Sequence, residues 1–467
     1  MASMEVDTQE EATNNATENE PNKVQLGNAS LPEVMEKYKA AGIVANRAMH
    51  LVLSSCKPGV KIVDLCRMGD EFIVQELEKV YQDLNKKGQK GICFPTCVSV
   101  NEIAGHNSPF NDDKRTLHFG DMVKVDLGVH IDGFCGVIAH TIVLGPCKGK
   151  KADVIAAAWS AAQSALRLLK IGNKNAQVTL AIEKSASTFK AEPMDSVLSH
   201  EMRQYVIDHD NTIISKETPE RKVAEFEFAE HQVFGIDIMM SSGRGKAVDR
   251  GEKCTVYKRN VEIEYPLKMK TSRELLKSIN KQYPTFPFTM RNFEENRSRL
   301  GITECVRNNM VQPYPVLSEK HGEYVAQFKF TAVLNPKATI QITGLPLDMA
   351  SVHPTHQIQD TELNGLLATK FAGVLPQFYE PVQLAKLDPS LMQNEEKQSK
   401  SNKASNTAQK KKPRPSQQKN KGKQKNQKQS NKKNQSQNKR KNAQSNKNSS
   451  SAKKPNASKP KPQMDLD

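Results

Sequence analysis

The sequence predicts an α+β fold made of a duplicated unit, two helices followed by strands, closing around one central sheet. Three observations carry that expectation. Residues 122–144, MVKVDLGVHIDGFCGVIAHTIVL, read as two Val- and Ile-rich strands joined at Asp132-Gly133, a dipeptide suited to the positive φ angles of a tight hairpin turn. Two helical patterns precede this hairpin and two more follow it. Strand-like segments come after each helical pair, so the order of elements repeats although identity between the halves is slight.

Taken in order, residues 1–29 are rich in Glu, Asn and Thr and too poor in apolar residues to bury a core, so they are expected to be disordered. Order is expected to begin at Ser30-Leu31-Pro32-Glu33, read as a capping box with Pro in the first turn. The helix that follows places Val34, Tyr38, Ala41, Val44, Ala45, Ala48 and Leu51 on its apolar side and closes at Lys57-Pro58-Gly59. A second helical pattern covers 62–81, then a β-like stretch, GICFPTCVSVNEIAG, leads to the hairpin. The repeat begins with an Ala- and Leu-rich helix, Ala152 to Leu169, stopped by Gly172, and a helix from Val178 to Phe189. Strands are expected at 212–215, 223–229 and 233–240. Residues 271–312 read as a small helical insertion around Pro284 and Pro287. Strand character returns at 323–334 and 339–343 and fades after Leu367, which sets the expected end of the folded domain.

Composition limits the function classes. At 467 residues the chain suits one large domain or two moderate ones. No run of about 18 apolar residues occurs, so no membrane span is expected, and the N-terminus lacks a signal-peptide pattern. The eight Cys, at 56, 66, 93, 97, 135, 147, 254 and 305, fit neither a zinc framework nor a disulfide ladder, which points to reduced thiols. The net charge of +16 is unevenly spread. Residues 397–463 carry 22 Lys and Arg and no acid, residues 1–30 carry −5, and 31–396 are left near neutrality at +1.

Polar groups on apolar strands and turns are the candidates for chemistry: His106, Asp126, His200, Asp237 and Lys329. Each alone is compatible with a structural role. Together, the spacing of twenty from His106 to Asp126, the CFPT and DLGVHIDG segments, the order of sites and the insertion resemble the type 2 methionine aminopeptidases over about 31–345. That resemblance implies the duplicated pita-bread fold and a two-metal centre held by two Asp, one His and two Glu. Carried over, Asp126 matches the first metal Asp, His200 the metal His, and His106 the loop His that helps bind the transition state. Asp237 stands in place of the first Glu, Val137 in place of the second Asp, and Lys329 in place of the last Glu. The two positions lost are the carboxylates that bridge both metals in the family. A pair of divalent cations about 3.5–4 Å apart needs such anions, so the expectation is a vestigial site with no metal and no cofactor. Lys329 is expected to pair with Asp126 or Asp237.

These substitutions, with IVANRA, VKVDLGVHIDG, YVAQFKFTAVL and LKMKTSRELL, resemble one branch most, the proliferation-associated or ErbB-receptor-binding family of non-peptidase relatives. The resemblance implies binding to RNA and ribosomal subunits and roles in ribosome biogenesis, translation control and growth. It also implies nuclear, nucleolar and cytoplasmic residence, and protein partners such as transcriptional corepressors and receptor tails. The tail is longer and richer in Asn and Gln than that branch would suggest. It holds basic clusters at Lys410, Lys411, Lys412 and Arg414, at Lys432 and Lys433, and at Lys439, Arg440 and Lys441, as in nuclear-import signals or nucleic-acid patches. With no aromatic residue to stack on bases, it should hold phosphate with little sequence choice. On the body, Arg244, Lys246, Lys253, Lys258, Arg259, Lys268 and Lys270 form the expected basic RNA-facing surface. Leu363, Leu366 and Leu367 match an LxxLL docking helix. Two alternatives stay open: a protein adaptor whose tail only drives nuclear import, and a metallo-aminopeptidase with a rearranged site.

Overall fold

Asp132 and Gly133 take φ angles of 53° and 82° and close the hairpin between β2 (Met122–Ile131) and β3 (Phe134–Val143), as their sequence requires. Every residue of both strands is buried, which explains a near-continuous apolar pattern where a half-exposed hairpin would alternate. The computed structural model describes residues 28–84, 89–195, 197–293 and 295–382. The acidic N-terminal segment up to residue 27 and all the tail clusters from Lys410 to Lys441 lie outside them.

The duplicated order is present. Helices α1 (Pro32–Ser55) and α2 (Ile62–Glu78) lead to β1 (Lys90–Val100), β2 and β3. Helices α3 (Lys150–Leu168) and α4 (Asn175–Thr188) lead to β4 (Leu198–Met202), β5 (Thr212–Ile214) and β6 (Val233–Ser241). A small unit follows, containing β7 (Val256–Arg259), α5 (Lys270–Gln282), α6 (Glu295–Arg307) and β8 (Val311–Tyr314). The chain then returns to the main sheet through β9 (Val325–Leu334) and β10 (Thr339–Gln341) and ends its helices at α7 (Thr361–Ala368). The main sheet is antiparallel, in the order β1-β2-β3-β9-β6-β4-β5, with β10 beside β9.

Two hydrophobic cores serve the two halves. One joins α1 and α2 to β1–β3 through Leu53, Leu65, Ile73, Val125 and Leu127. The other joins α3 and α4 to β6 and β9 through Ile155, Ile182, Phe234, Ile238 and Phe328. Helix α3 is buried on most of its surface, and a run of Ala lets it lie close to the sheet. Helix α1 approaches closely too: a side chain at Gly42 would stand 2.4 Å from the carbonyl oxygen of Ile342. The hairpin tip is clamped from both halves, since Asp132 receives the Lys37 ammonium at 2.6 Å and the Tyr205 hydroxyl at 3.2 Å. Among the described residues no helix is long and apolar enough to cross a membrane.

The structure corrects four expectations. Helix α1 is capped by Leu31 without a side-chain bond, so Ser30 forms no capping box; Pro32 alone sets the start. Residues 223–229 form no strand: they run as a loop whose Phe226 and Phe228 carbonyls accept the Asn175 and Gly172 N–H groups around the start of α4. The insertion is not purely helical, because Phe288–Thr289, β7 and β8 form a three-stranded sheet beneath α5 and α6. The fold also runs on past Leu367. Val374 bonds the backbone of Thr339 and Gln341, and the Phe378 carbonyl accepts Asn46 Nδ2 at 2.8 Å on α1.

Candidate functional site

Register alone assembles a site at the seam of the two halves. Asp126 on β2 pairs with Ala139 on β3, Ala139 with Lys329 on β9, and Lys329 with Asp237 on β6. Paired residues of an antiparallel sheet share a face, so Asp126, Lys329 and Asp237 project to the same side. Val137 and His200 lie in the adjoining row of that face, two positions along β3 and opposite Gly235 of β6 respectively.

Lys329 Nζ stands 2.7 Å from Asp126 Oδ2 and 2.9 Å from Asp237 Oδ2, so one ammonium bridges both carboxylates. Either partner was expected; both are engaged. Gln327, two residues earlier on the same face of β9, donates Nε2 to Asp237 Oδ1 at 2.9 Å and lies 3.4 Å from Asp126 Oδ2. Sequence reasoning missed Gln327, although its period-two spacing from Lys329 was a usable signal. The other oxygen of Asp126 is buried and has no hydrogen-bond partner among the described residues. Burial therefore pushes the Asp126 carboxyl up to about 6, against the pull of Lys329. Burial lowers the Lys329 ammonium, but the two carboxylates outweigh it and hold its pKa above the ordinary lysine value.

Three rings roof this cluster. Phe94 lies 5.3 Å from Lys329 Nζ, 5.9 Å from the His106 ring and 5.8 Å from Tyr314, and His106 meets Tyr314 edge-on at 5.2 Å. His106 takes a left-handed φ of 62° and turns Nδ1 to the Pro315 carbonyl at 3.1 Å. A carbonyl there selects the tautomer with the proton on Nδ1, and burial lowers the ring's pKa to about 4. His200 is half-buried, with Nδ1 3.2 Å from the His209 carbonyl, and no hydrogen bond or ion pair joins it to Lys329 among the described residues. Val137 is buried; its N–H donates to Thr331 Oγ1 at 2.9 Å and its carbonyl accepts Thr343 Oγ1 at 2.5 Å. At the same seam Thr141 exchanges bonds with the backbone of Gln327, so hydroxyls replace a ladder that registers only at Ala139 and Lys329.

The expected basic surface divides. Lys253, Lys268 and Lys270 are exposed, as are Arg244 and Lys246. Lys258 is half-buried against both oxygens of Asp208, at 2.5 and 2.6 Å. Arg259 is buried and donates to the carbonyls of Met310 and Ile263 and to Asn280 Oδ1, so it braces the insertion and does not face solvent. In the LxxLL segment Leu363 is buried in the body, and Leu366 and Leu367 are half-buried. A docking groove could reach Leu363 only after α7 came away.

The sheet, its two helical pairs and the seam cluster define a metallopeptidase scaffold, and residues 36–261 match the model of metallopeptidase family M24. The chain is 47% identical over 340 residues to "ERBB-3 binding protein 1" of Arabidopsis thaliana, covering 72% of this chain and 86% of that one. It is 36% identical over 348 residues to "Curved DNA-binding protein" of Schizosaccharomyces pombe, covering 73% and 91%. A solved structure of a thermophilic Arx1 shares the fold, with a TM-score of 0.68 and 26% identity, over 73% of this chain and 99% of that one. The chain belongs to the ErbB-receptor-binding, or proliferation-associated, family, non-peptidase relatives of the type 2 methionine aminopeptidases.

Proposed function

We propose that this protein is a catalytically inactive aminopeptidase-like scaffold that binds RNA, ribosomes and protein partners in ribosome biogenesis, translation control and growth. The observation that carries the first half is the Lys329 ammonium bridging Asp126 and Asp237. A two-metal centre fits these residues poorly. Lys329 places a positive charge where the scaffold's metals would lie, Val137 supplies no donor, and both carboxylates are already engaged with a cation. Among the described residues no group of three His, Cys, Asp or Glu is placed to hold a metal ion. Without a metal-activated water the residues present offer no nucleophile for peptide hydrolysis.

The binding half rests on charge. Twenty-two cations in residues 397–463 suit a phosphate polymer, and exposed Lys253, Lys268 and Lys270 give the body its own cations. A relative is named for curved DNA and another for a receptor, which supports nucleic-acid and protein partners here. Residence in nucleus, nucleolus and cytoplasm goes with that reading, the tail clusters acting as import signals.

Two experiments test it. Purified protein given Mn²⁺ or Co²⁺ should release no methionine from a Met-initiated peptide; turnover in wild type that disappears with Asp126→Asn would sink the pseudo-enzyme half. Sedimentation with ribosomes and structured RNA over a salt series should show selective binding by a 1–396 chain, with the steep salt slope confined to full-length protein. If the shortened chain binds neither, the protein works through other proteins and the adaptor reading takes over.

A further inference from the structure

The β6–β7 connection, residues 242–255, carries Arg244, Lys246, Arg250 and Lys253, all exposed. It is a fixed ribbon. Ser242 N–H donates to the Tyr324 carbonyl at 2.9 Å, and the Gly245 carbonyl accepts the Asp195 N–H at 3.0 Å. Val248–Asp249 pairs with Leu317–Ser318, and Arg250 Nε donates to the Glu319 carbonyl at 3.2 Å.

Each end of the ribbon walls a concavity. The first, about 260 Å³, has Arg244 and Lys246 on one side and Lys216 and Arg221 on the other. Lys216 is held by Glu192 at 2.7 Å and Arg221 donates to the Asp195 carbonyl, whereas Arg244 and Lys246 have no hydrogen bond or ion pair among the described residues. The second, about 650 Å³, has Arg250 and Lys253 facing Lys114. Its acids are already paired: Asp113 and Glu252 with Arg115 of the same lining at 2.9 and 3.2 Å, and Asp112 with Arg299 at 3.4 Å. Arg244 and Lys246 at one end, and Lys114 and Lys253 at the other, therefore carry no ion pair among the described residues. The ribbon from Arg244 to Lys253 can span at most ~30 Å, so one ligand filling both ends needs anions that repeat along its length.

The carboxylates narrow the choice further. Asp195 and Glu220 line the smaller concavity without ion pairs among the described residues. They would repel a bare phosphate, but they can accept from the amino group of a base whose phosphate lies on Arg244 and Lys246. We propose that residues 244–253 are a track for a single-stranded or looped RNA segment, with phosphates seated in the two concavities. This deepens the RNA-binding reading and rests on it.

The test uses full-length protein and a fluorescein-labelled oligocytidylate, whose bases carry an amino group, titrated over a salt series. Arg244→Glu with Lys246→Glu, and separately Arg250→Glu with Lys253→Glu, should each weaken binding at least ~10-fold and reduce the salt slope by about 1.4, two contacts' worth for a single strand. Lys277→Glu with Lys281→Glu on α5, exposed and of equal charge change, should weaken it less than about threefold by general electrostatics. Equal losses in all three overturn the track but leave RNA binding intact; no binding by wild type removes the RNA reading as well. Displacement of the RNA by inorganic phosphate at constant ionic strength, lost in the ribbon variants, would make this a free-anion site and also overturn the track. Photo-crosslinking of wild type to 4-thiouridine RNA should yield crosslinked peptides within 242–255; crosslinks confined to 397–463 count against it.

Discussion

Lys329 cannot dissociate from its site as a metal can, and that fixes what its loss would do. Lys329→Met would leave a buried Asp126 and a half-buried Asp237 facing each other, with Gln327 alone to donate among the described residues. Removing one partner of a buried pair costs about 3–5 kcal/mol, so urea unfolding at neutral pH should show a loss of that order. Asp126 already titrates near 6, so the loss should shrink as pH falls to 5, and adding Asp126→Asn should recover most of it. A Lys329→Met variant as stable as wild type would show that the bridge is not what holds the seam. The bridge was legible through the resemblance, which sets Lys329 in place of a metal-bridging Glu and beside the carboxylates of Asp126 and Asp237. That it takes two follows from the register across β3, β9 and β6, which one strand's pattern does not contain. Lys258 and Arg259 went the other way: a cation held by a distant carboxylate or by internal carbonyls is indistinguishable in sequence from one free at the surface.

At the scale of elements, a buried ion pair fastens the insertion to the body. Arg291 Nη2 meets Asp70 Oδ2 of α2 at 2.6 Å, and Nη1 donates to Ser108 Oγ and the Pro109 carbonyl. The second oxygen of Asp70 accepts the Thr96 N–H at 2.8 Å, so α2, β1, the 107–110 loop and the insertion meet at one carboxylate. Arg291→Met should expose 270–310 to proteolysis and speed its amide exchange before the main sheet yields. It should cost about 3–5 kcal/mol, more than Arg291→Met with Asp70→Asn, which strands no charge. Uniform protection across the insertion in the single variant would remove this role from the pair. The long elements here, α1, α3 and the hairpin, were readable from periodicity and turn residues. The insertion's sheet was not, because its strands are two to four residues long and pair across some thirty to sixty residues.

For the molecule as a whole, acid is the informative perturbation. Burial lowers His106 to about 4, His130 to about 3 and His140 to about 4. A histidine whose folded pKa is depressed adds stability above its unfolded value near 6.5, and that stability is lost as pH falls through the folded value. Asp126 and Asp70, both raised by burial, act in the opposite sense, but three histidines face two carboxyls. The midpoint of unfolding should therefore drop between pH 6.5 and about 4. His140→Phe keeps a ring against Trp159 and Phe328 and should flatten that limb by about 1–2 kcal/mol at pH 5 relative to pH 7. An unchanged limb would mean His140 is not the group being titrated. At this scale the sequence set the end of the body at Leu367, too early, since residues 368–382 pack through single contacts such as Phe378 that carry no periodic signal.

The Lys329 bridge also bears on how this protein depends on the cell around it. Scaffolds whose central charge is balanced by a bound ion inherit the variability of that ion's supply: they are made empty, filled later, and emptied by scarcity or by a competing chelator. Here the counter-charge is translated with the chain, in fixed proportion and in the same place in every copy. Its thermal transition should be indifferent to EDTA, and its abundance should not follow metal availability.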